Sequence, residues 1–231
     1  MAARSSGGKR KAEPEPEATA APALRDVLVE RAVSAQKAQA ADEVNRIVEA
    51  TYRVMAAEGS VEPRVRDILL EAGVSTQAFY RHFASKDELL LVIMDDGLRQ
   101  LADYLQLRMA RVAADGPEAE VRAWLLGMLA QAANPEASRR TRPFINGIRR
   151  LGDLHPAEQR GAIDRLVDIL AGALERGVEA GVFAEGDVRQ RAGYVYRLGV
   201  GVMEDHILEG TTPSKAENEA LISFCLGALR A

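Results

Sequence analysis

Residues 73–90, GVSTQAFYRHFASKDELL, constrain the fold of this chain more than any other stretch. They predict a tight turn, a very short helix rich in polar side chains, and the start of a longer helix. Upstream, VRDILLEAG (65–73) reads as a helix of about two turns, with Val65, Ile68 and Leu69 on one face. Gly73 ends it, because the position after a helix calls for a left-handed backbone that glycine adopts without steric cost. Val74 packs beneath the turn. Ser75 follows as an N-cap whose hydroxyl accepts from N–H groups of the next helix. Ser85, with Glu88 three residues on, forms a capping box ahead of the apolar run 89–94. A short helix with so little apolar face stabilises a core poorly. It makes sense when its neighbours hold it and it is pushed into a groove, as in a helix-turn-helix that reads DNA.

That short helix is expected to expose Thr76, Gln77, Ala78, Tyr80 and Arg81 and to turn Phe79 inward. Gln bonds adenine in two places and Arg bonds guanine, so Thr76, Gln77 and Arg81 are candidates for base edges, with Ala78 for a thymine methyl. Arg64 and His82 suit the DNA backbone, which positions a protein without carrying sequence. The formal net charge is −4, so a DNA binder of this composition must concentrate its positive charge locally. Arg64, Arg66, Arg81, His82 and Lys86 supply such a face.

The chain has 231 residues, 47% hydrophobic, 28% charged and only 5% aromatic, which suffices for one long or two small domains. With much Ala, Leu, Glu and Arg and no run of alternating β-branched residues, the fold class is all-α. No apolar stretch is long enough to span a bilayer, and the N-terminus is too polar for a signal peptide. The lone Cys225 excludes an internal disulfide and suits a reducing cytoplasm. Enzyme chemistry finds no support. The three histidines, His82, His155 and His206, have no zinc-type spacing, and Glu204, Asp205 and His206 splay around a helix instead of converging. Neither a phosphate-binding glycine loop nor a nucleophile elbow is found, and no cofactor or metal is expected.

Residues 1–22 have the composition of a disordered tail, with Lys9, Arg10 and Lys11 either solvated or following a DNA backbone. Residues 23–85 are expected to form the helix-turn-helix domain with a helical extension. Val44, Ile47, Val48, Thr51 and Met55 share one face, and residues 24–40 either continue that helix or form another, Asp42 being a capping candidate. Residues 86–231 are expected to form a helical ligand-binding and dimerisation domain. Its helices run from 86 to about 112, from Pro117 to an end at Asn134-Pro135, from Pro156 to about Ala180, over 187–208 and over 214–230. A short segment surrounds Phe144, Ile145 and Ile148.

The last two helices each carry two apolar stripes. Val195, Leu198 and Val202 line one side of the first, and Tyr196, Val200, Met203 and Ile207 another. In the second, Leu221, Phe224, Cys225 and Ala228 oppose Ile222, Leu226 and Leu229. Two stripes imply burial on two sides. Packing against symmetry mates as a four-helix bundle satisfies this, through Val195, Leu198, Val202, Leu221, Phe224, Cys225 and Ala228. A large monomeric core with the same helices central also would. Gly193, Gly199 and Gly201 lower helix propensity but allow close backbone approach.

The segments VRDI (65–68), AGVS (72–75) and FYRHFASKDELL (79–90) resemble the DNA-binding domain of the TetR family of bacterial repressors. The resemblance covers about residues 43–95 by motif; beyond it only length, helical pattern and the Gly-Val-Phe turn at 181–183 agree. Arg64 stands where the family usually has a capping Thr, and Leu69 where it usually has a small Ala. The resemblance implies an N-terminal three-helix reading head, a C-terminal helical bundle and a homodimer. Duplex DNA is then the partner, as a near-palindromic operator that a small effector releases. It also implies that Tyr80 and Lys86 contact phosphates. Leu101, Leu105, Trp124, Met128, Phe144, Ile148 and Leu170 are expected to line an apolar effector cavity, with Arg142 among a cluster (Arg139, Arg140, Arg142, Arg149, Arg150) suited to an anionic head group such as that of an acyl or acyl-CoA compound. A filled core and a solvated basic face are the competing readings. An adaptor protein with a weak DNA-binding domain is the alternative function, supported by Leu69 and Ala78.

Overall fold

Capping and turn residues divide the chain into helices, and the computed structural model describes them over residues 23–59 and 62–230, leaving out the side chains of 146–152 and 154. Among the described residues there are nine α-helices, one 3-10 turn at Ala113–Asp115 and no strand. The helices are α1 (Leu24–Glu58), α2 (Val65–Ala72), α3 (Thr76–His82), α4 (Lys86–Ala110), α5 (Pro117–Ala133), α6 (Pro135–Leu154), α7 (Pro156–Glu179), α8 (Val188–Glu209) and α9 (Lys215–Arg230). The chain divides into two units, 1–41 and 42–231. In the first, the described residues belong almost wholly to the N-terminal part of α1, and none is buried. No fresh helix starts at Asp42; its carboxylate instead pairs with Arg46 one turn on, at 3.2 Å. The expected tail 1–22 lies outside the described residues.

The second unit has two apolar cores. Ile47, Ala50 and Met55 of α1 meet Ile68 and Ala72 of α2, Phe79 of α3, Phe83, and Leu89, Leu90 and Ile93 of α4. The other core gathers around Trp124, Leu125 and Met128 of α5, with Leu105 of α4, Leu166 and Leu170 of α7, Val195 and Met203 of α8, and Ile222 and Cys225 of α9. α5 is apolar on nearly every side because it lies among its neighbours. α4 contributes to both cores, its first turns to one and Ala102, Leu105 and Met109 to the other.

Two expectations about the helical bundle are corrected here. The segment around Phe144 is no short piece: α6 has 20 residues and runs through Pro143. Asn134-Pro135 both ends α5 and starts α6, because the Asn134 side-chain oxygen accepts from the N–H groups of Glu136 (2.9 Å) and Ala137 (3.2 Å). Val195 and Cys225, expected at a subunit contact, are instead buried within the chain itself. Gly199 likewise serves the interior: a Cβ there would stand 3.2 Å from Leu125 and 3.4 Å from Trp124.

Candidate nucleic-acid interface and effector cavity

The turn between α2 and α3 forms as its residues dictate. Gly73 takes φ 64° and ψ 38°, and its N–H bonds the Leu69 carbonyl. The Ser75 hydroxyl accepts from the Ala78 N–H at 3.1 Å. At the next helix start, the Ser85 hydroxyl accepts from the Glu88 N–H at 3.1 Å, and the Glu88 carboxylate reaches back to the Ala84 N–H at 2.5 Å. Arg64 occupies the N-cap of α2 and makes no side-chain cap bond, leaving its guanidinium exposed. Phe79 is wholly buried, edge-on to Tyr80 at 5.2 Å between ring centroids and 5.5 Å from Phe83. It nails α3 to the core and fixes which face points outward.

The outward face carries Thr76, Gln77, Tyr80 and Arg81, all exposed, with Tyr80 at 57%. Arg64 and Arg66 are exposed on the preceding helix. Lys86 sits at the start of α4, half-buried, its ammonium 3.9 Å from Glu62. Ala78 departs from expectation. It is 8% exposed, because three residues from Ser75 it falls on the inner side of the first turn, so its methyl packs and does not present to a groove. His82 also turns inward. Its Nε2 lies 2.7 Å from the Glu43 carboxylate, on the same oxygen that accepts from Arg81 at 2.8 Å.

Helices α1, α4, α5, α6, α7 and α8 enclose a cavity of about 380 Å³. Its walls come from Tyr52 of α1, Gly97, Leu101 and Tyr104 of α4, Met128 and Gln131 of α5, Arg140, Thr141 and Phe144 of α6, Leu166 of α7 and Tyr196, Val200 and Glu204 of α8. Of the residues expected there, Leu101, Met128 and Phe144 line it. Leu105, Trp124 and Leu170 do not; each is fully buried in the packed core. Arg142 points elsewhere and donates to the Ile207 carbonyl. Arg140 takes the place expected for Arg142. Its guanidinium stacks over the Tyr52 ring at 5.6 Å and donates to Gln100 at 3.3 Å. The side chains of Ile148, Arg149 and Arg150 lie outside the described residues.

Tyr52 was missed by sequence reasoning. Its ring stands 6.2 Å from Phe144, and its hydroxyl proton is shared between the Ile93 carbonyl and the Asp96 carboxylate, each at 3.1 Å. Burial first, then Asp96, pushes the Tyr52 hydroxyl far above the usual phenol range, so it stays a donor. In the same cavity wall, burial pushes Tyr196 up to about 12, assisted by Glu204. Both phenols are therefore neutral hydrogen-bonding groups in a wall that also carries Gln131, Arg140, Thr141 and Glu204. Among the described residues, no group of His, Cys, Asp and Glu is placed to hold a metal ion, and no helix is long and apolar enough to cross a membrane.

The outer faces of α8 and α9 leave Tyr194, Leu198, Leu208 and Phe224 exposed, Phe224 at 65%. Ala228 is exposed beside Phe224, and Val202 and Leu221 are half-buried. Leu198 and Phe224 are thus the large members of the double stripes left most open to solvent.

Residues 47–93 match the model of the tetR family of bacterial regulatory proteins. No curated protein matches the chain by sequence. Solved structures share the fold. A TetR-family transcriptional regulator of Mesorhizobium loti superposes with a TM-score of 0.64 at 19% identity, over 82% of this chain and 96% of its own. The fatty acid degradation regulator FadR of Bacillus halodurans gives 0.64 at 19%, over 81% and 96%. RolR, in complex with the ligand resorcinol, gives 0.62 at 16%, over 84% and 90%.

Proposed function

We propose that the chain is a ligand-responsive, DNA-binding transcriptional regulator of the TetR type, a reading supported by the match of residues 47–93 to the tetR family of bacterial regulatory proteins. One observation carries the reading. The shortest α-helix among the described residues, α3, is pinned by Phe79 and presents Thr76, Gln77, Tyr80 and Arg81 outward, with Lys86 at the following helix start. A polar face held this rigidly suits the major groove. Gln77 and Arg81 then meet base edges, and Tyr80, Lys86, Arg64 and Arg66 meet phosphates.

One reading helix makes few base contacts, so specific affinity requires two at fixed separation. The exposed faces of α8 and α9 supply the association, with Leu198, Val202, Leu221, Phe224 and Ala228 at the two-fold contact. The operator is then near-palindromic, and the chain acts as a repressor. The reading head spans residues 23–85 and the effector and dimer domain residues 86–231.

The cavity takes a small hydrophobic effector, with Arg140 and the neutral Tyr52 and Tyr196 hydroxyls as its polar contacts. At about 380 Å³ it accommodates a phenol or the acyl portion of a larger compound, with a charged head group toward Arg140. An effector has leverage when it binds two spacings of the reading heads with different affinity.

A gel shift on the DNA upstream of its own gene tests the reading. A salt-sensitive specific complex that Lys86→Ala weakens on every sequence, and Gln77→Ala weakens only through one position per half-site, supports it. Silence at low salt supports an adaptor protein instead. For the effector, thermal shifts with fatty acids, acyl-CoA compounds and small phenols discriminate the classes.

A further inference from the structure

Glu43 was not singled out by the sequence, yet two adjacent residues of α3 share its carboxylate. Its Oε2 accepts from Arg81 Nη2 at 2.8 Å and lies 2.7 Å from His82 Nε2. The Glu43 side chain is 12% exposed and that of His82 10%, whereas Arg81 is 60% exposed. The anchor is therefore at the inner end of the contact and the guanidinium at the outer end. A guanidinium carries five N–H donors, so the bond to Glu43 leaves donors for an acceptor outside. Glu43 itself rests on a rigid base. One and two turns further along α1, on the same face, Ile47, Ala50 and Thr51 are fully buried.

A carboxylate beside a DNA-binding face opposes phosphate attraction. It earns its place only if it contributes something else, and the geometry here offers orientation. Without a partner, a long arginine side chain samples many rotamers, and ordering it on binding costs affinity at the base edge. With Glu43 fixed by α1, Arg81 is held before DNA arrives. We infer that Glu43 is a specificity-determining positioning residue, which aligns Arg81 for a base edge at the expense of non-specific affinity. The inference rests on the proposed DNA-binding function and adds to it the residue that sets discrimination at one base pair.

The test is selection from a random-sequence duplex library with the full chain, as wild type, Arg81→Ala, Glu43→Ala and Glu43→Gln. Arg81→Ala locates the base pair that Arg81 reads. Glu43→Ala is expected to lower preference at that base pair by about tenfold, the order of one good arginine contact. It leaves the positions read by Gln77 unchanged and binds a duplex of arbitrary sequence more tightly at low salt. Glu43→Gln keeps an acceptor and the side-chain shape, so it retains part of the preference, and it guards against a folding defect in the Ala variant. Loosening of the domain would blur every position alike, and that outcome overturns the inference. Unchanged preference in Glu43→Ala, or no position shifted by Arg81→Ala, overturns it too, with the DNA-binding reading left standing. A wild-type protein that enriches no sequence removes both.

Discussion

The Tyr52 hydroxyl donates to the Asp96 carboxylate across 3.1 Å, tying α1, which braces the reading head, to α4 at the wall of the cavity. The same Asp96 oxygen accepts from Gln100 at 2.8 Å, and Gln100 accepts from Arg140. An effector that touches Tyr52 or Arg140 would therefore press on a connected set of polar groups on α1, α4 and α6. Tyr52→Phe keeps the ring and removes the donor. It is expected to cost about 1 kcal/mol of stability and to reduce the factor by which effector weakens DNA binding, read as DNA affinity with and without a saturating effector.

Glu120 is almost fully buried, and Arg176 grips it with two guanidinium nitrogens, one at 3.2 Å. Arg176→Ala strands that carboxylate and is expected to cost about 2–3 kcal/mol, somewhat under the usual figure for a broken buried pair because Arg176 is half exposed. The double variant Glu120→Leu with Arg176→Met recovers much of the loss. Urea unfolding midpoints measure both.

Two glycines of α7 predict opposite signs. A Cβ on Gly177 would lie 2.0 Å from the Phe183 ring, whereas one on Gly161 meets nothing within 4 Å. Gly177→Ala should destabilise by about 1–3 kcal/mol through overpacking. Gly161→Ala should stabilise by up to about 1 kcal/mol through helix propensity. Thermal unfolding of the two variants side by side checks the contrast.

Asp95 joins Arg99 on its own helix to Arg165 of α7. Partial burial opposes its ionisation, but the Arg165 and Arg99 bonds outweigh it and hold the carboxyl below its usual value. Its contribution is therefore full above the unfolded value of about 3.9. It disappears as pH falls through the lower folded value. Asp95→Asn should be less stable than wild type at neutral pH and should flatten the loss of stability below about pH 4, as followed by denaturant melts across that range.

Phe224 stands at 65% exposure on the outer face of α9. Phe224→Glu places a charge in the proposed two-fold contact. Light scattering is expected to report a monomer and circular dichroism an unchanged helix content, with operator affinity reduced by about 100-fold as the pairing of two α3 helices is lost.

Where local chemistry decided the outcome, the sequence was legible. Gly73, Ser75 and Ser85 set the turn and both helix starts, because each acts on backbone groups within a few residues. Asn134-Pro135 was read as an end only, since the same pair satisfies the last turn of one helix and caps the next. Ala78 and Cys225 show the second kind of limit. Small apolar residues fit an exposed stripe and a buried one equally well, and neighbouring helices decide which. Leu105, Trp124 and Leu170 went to the filled core and Arg140 replaced Arg142 in the cavity wall, because helix rotation was not fixed by periodicity alone. Glu43 and Tyr52 carried no local signal at all. Their partners Arg81 and Asp96 lie 38 and 44 residues away.

Selection of bound sequences from a random duplex library, with the purified wild-type chain, tests the central claim most directly. The account predicts a near-palindromic site whose two halves lie about one helical turn or a multiple of it apart, and whose enrichment disappears in Phe224→Glu. Recovery of no sequence, even at low salt, or of a single half-site by a lone protomer, would contradict it.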